Sequence, residues 1–118
     1  MKNPHVAAIG KLNLTGNIIP SIWWQRLRLE SGAPDFTGVM ILAEIVNSKE
    51  AELQRNYQSF ADQFGLSKKQ VREAIQRLVE RKLITTDFRT ITQHGIVLNN
   101  VLFIGINESE IEMLWESK

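Results

Sequence analysis

Ser67, Lys68, Lys69, Arg72, Glu73 and Gln76 place several kinds of polar chemistry within a short stretch of chain. Lysine and arginine pair with phosphate oxygens. Arginine can also grip O6 and N7 of guanine, and glutamine can pair with N6 and N7 of adenine. At about 100° per residue, Lys69, Arg72, Glu73 and Gln76 point away from the apolar stripe Val71, Ala74, Ile75, Leu78 and Val79. Arg72 and Gln76 are thus the candidates for base edges, and Lys68 and Lys69 for phosphates. Glu73 would accept from a cytosine amine or repel a misplaced phosphate.

Other chemistries find little support. The chain has no cysteine, which excludes disulfide scaffolds, thiol nucleophiles and cysteine zinc sites. Its two histidines, His5 and His94, show no metal-ligand spacing. The aspartates are Asp35, Asp62 and Asp87, read as a cap, a helix surface residue and a hairpin residue. No Ser/His/Asp set, paired carboxylates, glycine-rich phosphate loop or HExxH occurs. We therefore expect no enzyme, no cofactor and no metal.

The 118 residues suit one domain with one modest core. Apolar runs such as Gly38–Ala43 and Val101–Ile104 are too short to cross a membrane, and the first residues lack the apolar region of a secretory signal. A soluble cytoplasmic protein is expected.

The elements that must hold these residues follow from caps and periodicity. Residues 1–20 read as a mostly extended arm, punctuated by Asn13, Gly16, Asn17 and Pro20. Ser21 is read as the cap of a short helix with Trp23 and Leu27 on one face. Asp35 caps a helix whose apolar face is Phe36, Val39, Met40, Ala43 and Val46. Leu53–Arg55 is a short strand. Asn56 caps a helix carrying Phe60, Ala61 and Phe64, and Gly65 stops it in the left-handed conformation. Ser67 caps the clearest helix, running to about Lys82. Leu83–Ile91 and Ile96–Ile106 then read as a β-hairpin closed by Gln93-His94-Gly95, with a positive φ at Gly95. Arg89 and His94, in its tip region, are candidate contacts. The tail from Glu108 carries four glutamates, with Ile111, Leu114 and Trp115 on one helical face.

Phe60 to Ile84, from FADQFGLSKKQVREAIQRL to the Leu83-Ile84 entry, resembles the winged helix-turn-helix of bacterial regulators of the GntR type. That pattern has an apolar-Ala pair in its first helix, a turn glycine, a Val-Arg pair after a capping serine, and a Leu-Ile entry into the wing. Lys68 stands where that group usually has arginine, and Lys82 where it usually has glycine. The wider layout, roughly residues 17–106, resembles replication-initiation modules of phages and plasmids and the N-terminal domain of DnaD-type proteins.

The resemblance implies an α+β, mainly helical fold: a winged helix-turn-helix over residues 21–106, an arm over 1–20 and an acidic helix over 107–118. It implies sequence-specific binding of double-stranded DNA, in replication control of a mobile element or in transcription regulation. Replication or transcription proteins would be further partners, and the alternative is a protein-interaction module on the same fold. The net charge of +1 conceals a basic stretch. Residues 65–94 hold Lys68, Lys69, Arg72, Arg77, Arg81, Lys82 and Arg89 against Glu73, Glu80 and Asp87, so the stretch is basic and the rest acidic. Apolar segments at both ends, and the use of paired half-sites by many such proteins, favour a homodimer.

Overall fold

A computed structural model describes residues 16–115. Expectations for residues 1–15 (His5 among them), for the side chain of Trp115 and for residues 116–118 lie outside the described residues.

Five helices and three strands follow in the order α1 (Ser21–Arg26), α2 (Phe36–Asn47), β1 (Glu52–Gln54), α3 (Tyr57–Phe64), α4 (Lys68–Glu80), β2 (Ile84–Gln93), β3 (Ile96–Ile106) and α5 (Glu108–Trp115). This is a mainly helical α+β fold with a small antiparallel sheet, the architecture of a winged helix. α2 lies at its centre and packs on α1, α4 and β3. Val39, Ile41, Leu42, Ala43 and Ile45 of α2 are fully buried. They meet Trp23 and Leu27 of α1, Phe60 and Ala61 of α3, the α4 stripe, and Ile84, Leu102 and Ile104 of the sheet in one core.

Local signals placed most of these boundaries. The Asp35 carboxylate accepts from the Gly38 N–H, and the Asn56 side chain from the Ser59 N–H, as N-caps do. Gly65 ends α3 at φ 67°, a left-handed turn that the missing Cβ makes inexpensive. The Leu66 N–H reaches back to the Ala61 carbonyl at 3.0 Å, closing that end and starting the short turn into α4.

Several expectations are corrected. Ser21 is the first residue of α1 rather than its cap; Pro20 holds that position without a side-chain bond. Phe36 is 60% exposed, packing its ring 5.5 Å from that of Trp24 outside the core. A central helix contacted from several sides buries more than one stripe, so Ile41, Leu42 and Ile45 join Val39 and Ala43 in the core, Val46 packs half-buried against it, Met40 is half-buried and Phe36 lies outside. α4 stops at Glu80, and Val79 falls at the exposed edge of its stripe. β2 starts one residue later and runs two further than expected, leaving only His94 and Gly95 in the turn. Both have positive φ, 53° and 77°, the conformation of a two-residue hairpin turn. The hairpin is also not alone. β1, which begins at Glu52, pairs antiparallel with β3 from Glu52↔Gly105 to Gln54↔Phe103, giving a sheet of order β1-β3-β2.

Candidate nucleic-acid interface

The start of α4 is built by a reciprocal capping box. The Ser67 hydroxyl accepts from the Gln70 N–H at 3.0 Å, and the Gln70 side-chain oxygen accepts from the Ser67 N–H at 2.9 Å. Val71, Ala74, Ile75 and Leu78 are buried and seat the helix. Lys68, Lys69, Arg72, Glu73 and Gln76 are all exposed on its remaining surface. The structure thus brings these five together with Ser67 at one helix end. Lys69 and Glu73 stand 3.9 Å apart in an exposed pair worth little. Among the described residues, Lys68, Arg72 and Gln76 have no side-chain hydrogen bond or ion pair. Such a helix start places cationic side chains, the positive end of the helix dipole and the exposed side chains of Arg72 and Gln76 on one surface.

The three other arginines of the stretch are engaged elsewhere, and Lys82 stands exposed beyond the C-terminal end of α4. Arg77 donates from Nε to Asp35 Oδ2 and from Nη2 to Asp35 Oδ1, both at 2.9 Å, and from Nη2 to Thr37 Oγ1 at 3.0 Å. Burial alone would raise the Asp35 carboxyl. The hydrogen bonds from Arg77 and the Gly38 N–H, with the charges of Arg77 and Arg81, outweigh it and hold the group below its ordinary value. Arg81 donates to the carbonyl of Arg28. On the helical wheel Arg77 and Arg81 flank the stripe on the Ala74 side, whereas Lys68 and Arg72 flank the other side. That asymmetry is the one signal by which sequence could have separated them.

Arg89 lies on the sheet face opposite to the core, since Ile84, Thr86 and Phe88 alternate with Thr85, Asp87 and Arg89. Its guanidinium donates to both Glu52 oxygens, at 2.7 and 2.6 Å, and to Asp87 at 2.7 Å, and it rests over the Phe103 ring at 4.3 Å. Hydrogen bonds to Glu52 and Asp87 push the arginine pKa up, and the same contact holds Glu52 down. Arg89 therefore does not join the α4 cluster. His94 is exposed in the hairpin turn, beyond a bulge where the pairing slips by one residue between Arg89 and Ile91 and Asn100 takes a φ of 56°. From Thr90 to Asn107 the chain carries no Asp, Glu, Lys or Arg, so the wing is uncharged (both histidine and amides apart).

Among the described residues no group of three His, Asp or Glu side chains is placed to hold a metal ion, and no helix is long and apolar enough to cross a membrane. No family model matches the chain, and no curated protein matches it. Among solved structures, the chain is similar to ZitR of Lactococcus lactis, described as a zinc-responsive MarR family member. The identity is 17% and the TM-score 0.49, with 95% of this chain and 67% of that one covered. A likeness of that degree carries no weight for function.

Proposed function

We propose that this protein binds double-stranded DNA in a sequence-dependent way, with α4 in the major groove. The observation that carries the reading is the start of α4, where Lys68, Arg72 and Gln76 are exposed and unengaged on a helix seated by its opposite face. Lys68 and Lys69 hold phosphates and set register; Arg72 and Gln76 contribute base choice; Glu73 tunes it. The Ser67 hydroxyl accepts within the cap and keeps its proton for a phosphate oxygen. His94 brings the wing turn to the backbone. Arg89 joins only where a phosphate displaces Glu52 or Asp87. The likeness of the Phe60–Ile84 pattern to GntR-type regulators supports this reading and a role in transcription regulation. Replication control of a mobile element is the variant that the wider layout supports. The protein acts as a homodimer on paired half-sites, without catalysis.

One observation favours a second reading, a protein-interaction module. The uncharged wing exposes Ile96 and Val97, and Phe88 stands 53% exposed beside it. Selection of bound duplexes from a random pool tests both. An enriched palindrome is the expected result. No retention of any duplex at low salt would reject DNA binding and leave the protein-interaction reading.

A further inference from the structure

α4 is seated on the core by Val71, Ala74, Ile75 and Leu78, and apolar contact has no direction. Close packing resists large shifts of such a helix, but it sets no bond angle. Base reading needs side chains placed to within about 0.5 Å and 10–20°. A directional contact sharpens the rotation of α4 beyond what packing sets; Arg81 gives one bond, to the Arg28 carbonyl at the helix end, and Arg77 gives three within the helix.

The Asp35 recess at the start of α2 has that character. Asp35 is 1% exposed, and its Oδ1 is already held by the Gly38 N–H at 2.9 Å. A Cβ on Gly38 would stand 2.5 Å from Oδ2, so the recess exists because residue 38 is glycine. Into it Arg77 inserts a two-point fork, with Thr37 Oγ1 as a third acceptor. A planar guanidinium on a planar carboxylate fixes distance and orientation together, which a lysine cannot do. Arg77 is next to Gln76 and about 7.5 Å along the helix axis from Arg72, at about 1.5 Å per residue. Fixing its direction fixes theirs.

We propose that Asp35 and Arg77 are positioning residues for base discrimination: a buried carboxylate at the start of α2 sets the rotation of the reading helix through a side chain that never meets DNA. The inference rests on the DNA-binding reading above.

The test uses the full chain and two duplexes, the one most enriched from the random pool and a permuted duplex of equal composition. Affinities are measured by fluorescence anisotropy at a temperature where melting curves show each protein folded. Arg77→Lys keeps the charge and loses the fork. Its affinity for the enriched duplex is expected to fall tenfold or more, while that for the permuted duplex changes less than threefold. Thr37→Val, which removes the third acceptor together with the 3.4 Å hydrogen bond from the Thr37 hydroxyl to Asp35 Oδ1 but leaves the fork itself, is expected to lower the same ratio about threefold. A folded Arg77→Lys that keeps the wild-type ratio, or loses affinity equally for both duplexes, overturns the proposal. Should Arg77→Lys fail to fold, Thr37→Val decides alone, and an unchanged ratio overturns it. Wild-type protein that binds neither duplex is a different failure: it rejects the DNA-binding reading itself.

Discussion

Lys82 takes at the end of α4 the same left-handed conformation that Gly65 takes at the end of α3, with φ of 64° against 67°. Gly65 is the C-cap of α3 and Lys82 follows Arg81, the C-cap of α4; each precedes a reach-back bond, Leu66 N–H to the Ala61 carbonyl at 3.0 Å and Leu83 N–H to the Leu78 carbonyl at 3.1 Å. Only one of the two positions has the residue that suits it. A left-handed conformation costs a non-glycine residue roughly 1–2 kcal/mol. Lys82→Gly is therefore expected to stabilise the protein by about 1 kcal/mol, the rest being offset by the extra freedom of glycine in the unfolded chain. Urea denaturation of the two proteins checks it, and a loss of stability would contradict the assigned conformation.

Gly38 predicts the opposite sign inside a helix. Gly→Ala in a helix interior ordinarily gains up to about 1 kcal/mol. Here the new methyl would lie 2.5 Å from Asp35 Oδ2 and 2.7 Å from its Cγ, and that carboxylate is pinned by Arg77. Gly38→Ala should thus destabilise by roughly 1–3 kcal/mol, the usual range for overpacking. A melting temperature equal to or above that of the wild type would refute the recess.

Acid should loosen the fold through two carboxylates of α2. Asp35 is held below its ordinary 3.8 for the reasons given above. Glu44 is held below its ordinary 4.5: burial would raise it, but hydrogen bonds from Asn17, Gln63 and Arg55 outweigh that. A carboxyl whose pKa is lower folded than unfolded adds stability that is complete above the unfolded value and is lost as pH falls through the folded one. Stability is expected to be flat for these groups above 4.5 and to fall below it. Glu44→Gln should remove part of that slope. Denaturation midpoints compared between neutral and acid pH decide it; equal midpoints throughout would rule out the linkage.

The contrast between near and distant partners explains what was legible beforehand. Ser67 and Gln70, Asn56 and Ser59, Gly65 and its turn are local relations of three to five residues, and residue type alone announces them. The α4 surface was legible for the same reason, because a stripe leaves its complement exposed. Arg77 and Asp35 are 42 residues apart, and Arg89 and Glu52 are 37 apart. Those pairs depend on how helices and strands meet, which no periodicity encodes. Hence residue type alone does not separate Arg77, Arg81 and Arg89 from the lysines of α4; only the side of the stripe taken by Arg77 and Arg81 hints at the difference. Lys82 reads as helix in the sequence because lysine carries no signal for a left-handed turn, and Phe36 reads as core because a helix buried on several sides shows no single stripe.

That partition of the arginines alters the expected salt dependence of duplex binding. Counting every basic residue of the 65–94 stretch suggests six or seven phosphate contacts for each chain. With Arg77 on Asp35, Arg81 on the Arg28 carbonyl and Arg89 on Glu52 and Asp87, and with Lys82 past the far end of α4, the cations at the reading surface shrink to Lys68, Lys69 and Arg72. The wing beyond Arg89 adds no charge. Release of about 0.9 counterion per phosphate contact then gives a log–log slope near −3 per bound chain, against about −5 or steeper for six or more. Lys68→Ala and Lys69→Ala should each flatten the slope by about 0.9. Arg89→Ala should leave it unchanged, because the wild-type guanidinium is already neutralised by two carboxylates. Arg72→Ala should cost roughly 1–3 kcal/mol on the enriched duplex, since a base contact is lost along with charge, and little folding stability, since the side chain is exposed and makes no hydrogen bond or ion pair among the described residues. Titrations at several salt concentrations separate these outcomes. A wild-type slope of −5 or steeper that falls on Arg89→Ala would show the clasp opening onto DNA and return Arg89 to the contact surface.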